Sequence, residues 1–286
     1  MCVEAILVAA LGYKKWGSTP RILSMLPTAI AIKLRKIARI IVDLKNFEKE
    51  GKLIRTLNGM GHSIVNLTEY SQAFLDFAPK APGPVLDIGA AFGVASLPAL
   101  ERGAEVIIND MAQEHLDAIA ENMPDDLKSR VHYCCGRIPQ EIFLKPESLG
   151  AIHCSQVFHF LTGDELTQTF KLMYTWLKPE GKIFIIASSP YIHILENYLP
   201  QYEAKKANGI PWPGEVENLK KITNHPVVDA NPPFFNFLDN DVLAKVAIET
   251  GFHIEKISLF DRGELPDHIK FDGRENVGLI AQKIVE

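Results

Sequence analysis

The chain carries no excess of basic residues: 30 Lys and Arg stand against 35 Asp and Glu, a formal net charge of −5 over 286 residues. A polyanion held across a broad face calls for such an excess, so nucleic acid is not the expected partner, although a local basic groove is compatible with the total. Cysteine is scarce as well. Cys2, Cys134, Cys135 and Cys154 show no metal-ligand spacing, and three of them fall on or beside expected buried strands. They read as reduced structural thiols of a cytoplasmic protein, with no metal site. Met1 to Gly12 is apolar but short and lacks a basic head, which argues against a membrane span or a secretory leader. Few acids precede Asp43, which keeps an organelle transit peptide as the alternative.

An apolar fraction of 47% is ordinary for a globular protein, and 286 residues hold one α/β domain with additions and an ample core. Residues 84–93 read Pro-Val-Leu-Asp-Ile-Gly-Ala-Ala-Phe-Gly, an apolar strand with an acid at Asp87 that runs into a glycine turn ahead of a helix. Val85, Leu86 and Ile88 suit a strand buried on both faces, while Gly89 permits a sharp turn and Gly93 a close helix start. The spacing departs from the dinucleotide fingerprint, which requires a glycine at Ala91 and another at Val94. A nicotinamide enzyme therefore ranks last, and no dehydrogenase catalytic set accompanies the loop.

A second strand, Ala104 to Met111, ends in an acid at the distance where nucleotide folds place the ribose carboxylate. Asp110 is the expected ribose ligand, and Met111 beyond it offers a polarizable surface to a base. Its structural alternative is a helix N-cap before residues 113–122.

Asp87-x-Gly89-x-x-x-Gly93 resembles motif I of the class I S-adenosylmethionine-dependent methyltransferases, in which an acid precedes the glycine loop. A cofactor with an ammonium and a sulfonium favours a nearby carboxylate, unlike a pyrophosphate. Residues 151–161 and 177–187 resemble the fourth strand with its following loop and the fifth strand of the same family. The resemblance covers about residues 66–284 and implies a Rossmann-like, seven-stranded, mostly parallel sheet with helices on both faces and an antiparallel final strand. It further implies that Tyr70, Asp87, Gly89, Ala90, Ala91, Gly93, Asp110, Met111, Arg137, Ile138, Ser155 and Gln156 surround S-adenosyl-L-methionine. Two positions depart from the family. Gly136-Arg137 stands where relatives carry an acid that accepts from adenine, which implies either that backbone such as that of Ile138 takes that task or that cofactor affinity is reduced. Gly150 replaces an acid before the fourth strand.

The chain divides into an N-terminal helical extension or lid, 1–65, and a core, 66–286, in which 188–236 is a substrate-covering insertion. In the extension, Ile30, Leu34, Ile37, Ile41 and Leu44 recur at helical spacing with Arg35, Lys36 and Arg39 on the other face. Residues 30–44 thus form a basic amphipathic helix. Packing on the core or on a second copy in a homodimer is preferred over contact with a membrane surface. Asn58-Gly-Met-Gly61 breaks the helical stretch.

Within the insertion, Tyr191, Tyr198, Tyr202, Trp212, Phe234 and Phe235 are candidates for a substrate pocket, with lid packing as each one's structural alternative. Asn231-Pro-Pro-Phe234 matches the motif of amino-methylating nucleic-acid enzymes in letters but not in place, since that motif follows the fourth strand, where this chain has Ser155-Gln156. The implied reaction is in-line methyl transfer to a small organic acceptor. His159 is the first candidate for a base and His193 the second, while His153 inside its strand reads as a core residue. The alternatives are a non-catalytic S-adenosylmethionine or S-adenosylhomocysteine binder, and an RNA or protein methyltransferase that docks through its basic extension.

Overall fold

The computed structural model describes residues 54–63, 66–261, 263, 265 and 269–284. The amphipathic helix expected over 30–44, and with it most of the N-terminal extension, lies outside the described residues. Strands β1 (Ile54–Arg55) and β2 (His62–Ser63) form a small hairpin closed by Thr56 and Gly61, so residues 54–63 are not helical.

Helix α1 (Glu69–Phe77) starts at Thr68, whose hydroxyl accepts from the Ser71 N–H, a regular N-cap. Strand β3 (Val85–Ile88) follows, then α2 (Ser96–Glu101), β4 (Val106–Asp110), α3 (Gln113–Glu121), β5 (Val131–Cys135) and β6 (Leu149–Ser155). Helix α4 (Gly163–Trp176) leads into β7 (Leu177–Ser188). The insertion contributes α5 (Leu199–Ala207) and a two-stranded sheet of β8 (Glu215–Val216) and β9 (Phe235–Asn236). Helix α6 (Asn240–Thr250), stopped by Gly251 in the left-handed region, precedes β10 (Phe252–Phe260) and β11 (Asn276–Lys283).

The main sheet has seven strands in the order β10-β11-β7-β6-β3-β4-β5. Strands β7, β6, β3, β4 and β5 pair in parallel, and β11 runs antiparallel to both its neighbours. Parallel neighbours need crossovers, and helices supply them, so each face of the sheet is covered and two cores result. One packs α4 and α6 through Leu166, Phe170, Met173 and Leu243, and the other packs α1 and α3 through Phe74, Leu75, Leu116 and Ile119. Because β3 lies inside the sheet, all four of its residues are buried. Strand β5 is an edge, which leaves Cys135 exposed and Cys134 half-buried, while Cys154 on β6 is buried. All three are free thiols, but only Cys154 is a core residue.

Candidate cofactor and acceptor site

The glycine loop after β3 is fixed by backbone bonds to the end of β4. Ala90 donates its N–H to the Asn109 carbonyl at 2.9 Å, and Gly93 donates to the Ala90 carbonyl at 2.8 Å. Gly89 adopts φ +66, and a Cβ there would be driven into Val157 Cγ2. Ala91 holds φ +46, which an L-residue tolerates only when held, and its N–H donates to Asp110 Oδ2 at 2.9 Å. Asn109 ties the turn to the end of β5: its Oδ1 accepts the Gly89 N–H at 3.4 Å, and its amide donates to the Cys134 and Gly136 carbonyls at 2.8 and 2.9 Å. Nothing in its sequence context singles out Asn109. Only its inward register at the end of a buried strand does, and that requires the sheet.

Asp110 is 4% exposed and belongs to this network. Its Oδ1 accepts from the Ala112 N–H at 2.9 Å and lies 3.0 Å from His115 Nδ1. Burial works to raise its pKa, but the hydrogen bonds from His115, Ala112 and Ala91 outweigh it and hold the carboxyl below the usual range. Asp110 therefore stays ionised at neutral pH. It does serve the first turn of α3, though from two residues before the helix-capping position, which is Ala112. Its Oδ2 takes a single N–H bond and has a lone pair left for a ribose hydroxyl. Met111 next to it is 46% exposed, an apolar surface available to a base. This donor and acceptor set suits an adenosine.

Other expected ligands face elsewhere. Asp87 is buried under the loop: Oδ2 accepts from Ser96 Oγ at 2.5 Å, and Oδ1 lies 2.7 Å from His153 Nδ1. His153 Nε2 in turn lies 3.1 Å from Ser71 Oγ. The motif acid thus locks β3 to α2, β6 and α1 rather than presenting a free carboxylate, and His153 is the core residue expected. Tyr70 is fully buried against the carboxyl-terminal strands, its hydroxyl 2.6 Å from Ser258 Oγ and its ring against Gly278 and Phe260. The aromatic expected at the cofactor thus packs against these strands. Gln156 is committed at both ends of its amide, to Asn276 at 2.8 Å and Ser188 at 2.9 Å. Ser155 beside it is half-buried.

Arg137 turns its guanidinium to Glu165 at 3.0 Å, and its backbone N–H donates to Glu141 Oε2. Ile138 is buried in the core, leaving only its backbone for an adenine edge. At Gly150 a Cβ would come within 2.6 Å of the Gly83 backbone, so close packing explains the glycine there.

His159 sits in a short 3-10 turn, Phe158–Phe160, after β6. It is 5% exposed, stacked on Phe235 at 4.4 Å and met edge-on by Phe160 at 4.2 Å. The insertion thus reaches the loop that carries the candidate base. Trp212 lies against Gly163, and Glu215 accepts the Gly163 N–H at 2.7 Å, so the insertion also covers the start of α4. Phe234 is half-buried.

The three tyrosines are buried. Tyr198 and Tyr202 are buried with Val216, Leu219 and Phe237 in a core of the insertion's own. Tyr198 donates to the Pro213 carbonyl, and desolvation pushes its pKa up to about 12. Tyr202 is raised further by burial and the Asp239 charge. Tyr191 donates to Glu203 at 2.7 Å under the Arg274 guanidinium. An insertion this long must bury its own apolar surface, and Tyr198 and Tyr202 serve that requirement. His193, 57% exposed beside Glu196, is not gathered with His159, Phe160 and Phe235.

Residues 85–181 match the family described as "Methyltransferase domain". A histone-arginine methyltransferase of Drosophila ananassae is 30% identical over 146 residues, 48% of this chain and 26% of that protein. The chain thus spans about a quarter of this relative's length. An S-adenosylmethionine-dependent methyltransferase from Mesorhizobium loti superposes with a TM-score of 0.55 at 18% identity, covering 74% of this chain and 97% of that one. The 1,6-didemethyltoxoflavin-N1-methyltransferase of Burkholderia thailandensis, solved with bound 1,6-didemethyltoxoflavin and S-adenosylhomocysteine, gives 0.53 at 14% identity, with 76% and 78% covered. Among the described residues no helix is long and apolar enough to cross a membrane. Residues 85–181 thus match a methyltransferase-domain family, and the chain has the fold of solved S-adenosylmethionine-dependent methyltransferases.

Proposed function

We propose that the protein methylates a small organic acceptor, with S-adenosyl-L-methionine as methyl donor. The observation that carries the reading is the bond from Ala91 N–H to Asp110 Oδ2, which joins the glycine loop to an ionised carboxylate that keeps a free lone pair. Asp110 would hold the ribose, Met111 would lie against the adenine, and the Gly89 to Gly93 backbone would follow the rest of the cofactor. When bound, the cofactor supplies an electrophilic methyl group on a sulfonium.

The chain's own task is alignment and exclusion of water, which together lower the barrier without covalent chemistry by the protein. Phe160 and Phe235 keep the His159 ring in one orientation within an apolar shell. His159 would receive the acceptor's proton where that acceptor is a hydroxyl or a ring carbon.

Calorimetric titration with S-adenosylmethionine and S-adenosylhomocysteine, with NAD and NADP as controls, tests the cofactor. Micromolar binding of the adenosyl ligands alone is expected. A screen of phenolic, amine and carboxylate acceptors with labelled methyl donor then tests the transfer. Binding without transfer to any acceptor would favour a non-catalytic binder. The curated relative favours one second reading, methylation of protein arginine. Label transferred to a histone peptide but to none of the small acceptors would select it.

A further inference from the structure

The ring of His115 joins three segments that methyl transfer brings into use together. It stands in the first turn of α3, is 1% exposed, and has its Nδ1 3.0 Å from Asp110 Oδ1. On the opposite side of the ring, Nε2 accepts the backbone N–H of Leu57 at 2.9 Å. The ring thus stands between the Asp110 carboxylate, near its Nδ1, and the hairpin N–H that its Nε2 accepts. Phe92 of the glycine loop meets the same ring at 5.5 Å, edge to face.

The hairpin bridged in this way extends to the other end of the site. Gly61, across the turn from Leu57, lies so close to Asn231 Oδ1 and Phe160 that a Cβ would come within 3.1 and 3.8 Å of them. Phe160 is the neighbour of His159. One short hairpin therefore touches the partner of the candidate ribose acid and the partner of the candidate base.

We propose that His115 is a positioning residue that couples cofactor capture at Asp110 to docking of the β1–β2 hairpin over the site. The inference rests on Asp110 holding the ribose. A ligand that orders Asp110 fixes the imidazole, the imidazole fixes the Leu57 N–H, and by linkage a docked hairpin raises affinity for the ligand by the same factor.

Leu57 allows a clean test. Gly59 donates to the Thr56 carbonyl, so Leu57 is the second residue of a β-turn, where proline is well accommodated. Leu57→Pro removes the N–H that His115 accepts and leaves the His115–Asp110 pair in place. His115→Phe keeps a ring against Phe92 and removes both the Asp110 contact and the bond from Leu57.

The probe is S-adenosylhomocysteine, titrated by calorimetry, with amide hydrogen exchange of residues 56–61 followed with and without it. In the wild type the ligand should slow exchange across the hairpin turn. Each variant should bind about tenfold more weakly and lose that ligand-dependent slowing, and the double variant should be no worse than His115→Phe alone. Wild-type affinity and retained slowing in Leu57→Pro would overturn the coupling. If the wild type fails to bind the probe, or Asp110→Ala binds it as well as the wild type, the ribose assignment falls and the coupling falls with it.

Discussion

Gly89 is constrained twice, by its backbone and by its surroundings. Its φ of +66 costs an L-residue about 1–2 kcal/mol, and a Cβ would overlap Val157, a clash in a packed site of about 1–3 kcal/mol. Gly89→Ala should lower stability by both amounts in urea denaturation, and adding Val157→Ala should recover the clash alone. A double variant no more stable than Gly89→Ala would show that the overlap costs nothing. At Asp110 the outcome depends on pH. Its folded pKa is depressed below the ordinary carboxylate range, so its stabilisation is present above the unfolded value of about 3.9 and is lost as pH falls through the folded one. Asp110→Asn sets an amide donor against the Ala91 or Ala112 N–H, so it should destabilise by about 1–3 kcal/mol at neutral pH. That difference should shrink in acid, as wild-type Asp110 becomes protonated. An equal deficit at pH 7 and pH 3 would show that the charge plays no part. Gly89, Gly93 and Asp110 were legible in the sequence because a turn with positive φ and a strand-end acid leave marks of type and spacing. His115, Asn109 and Ser96 left none, because their partners are set by folding rather than by neighbours in the chain.

Helix α4 shows what an element discloses before it folds. Thr162 accepts the Glu165 N–H at 3.2 Å and Glu165 Oε2 accepts the Thr162 N–H at 2.9 Å, the capping box that the Thr-x-x-Glu spacing announces. Glu165 does more, however, since its other oxygen receives Arg137 and Gln140 at 3.0 and 2.7 Å. The arginine that replaces an expected acid after β5 is thereby tied to the start of α4. Thr162→Ala should cost about 1 kcal/mol in chemical denaturation. A loss under a few tenths would mean that the Glu215 bond to the Gly163 N–H already satisfies this terminus. The apolar runs of β3, β4, β6 and β7 were legible in the same local way. The β1–β2 hairpin and the β8–β9 pair were not, being strands of two residues that exist through what they pack against. Tyr70, Tyr198 and Tyr202, expected at the site, are all buried, and an aromatic in a candidate cleft and an aromatic in a core are the same letter until burial is known.

At the scale of the molecule, the candidate cofactor site is where separately built parts meet. The glycine loop, the end of β4 and the α3 terminus converge on Asp110, and Leu57 of the hairpin is bound to its partner His115. A ligand that binds only this assembled arrangement stabilises the fold by mass action, by about 2.7 kcal/mol at a hundredfold excess over its Kd. For a domain of this size each kcal/mol moves the melting point by about 2–4 °C, so saturating S-adenosylhomocysteine should raise Tm by about 5–11 °C. NAD at the same concentration should leave Tm unchanged, because Ala91 stands where a glycine would let the backbone approach a pyrophosphate. His159→Ala should keep the full adenosyl-ligand shift while lowering turnover, since its ring packs with Phe160 and Phe235 and not with Asp110. A shift lost in His159→Ala would place that histidine in cofactor capture and would move the search for a base elsewhere.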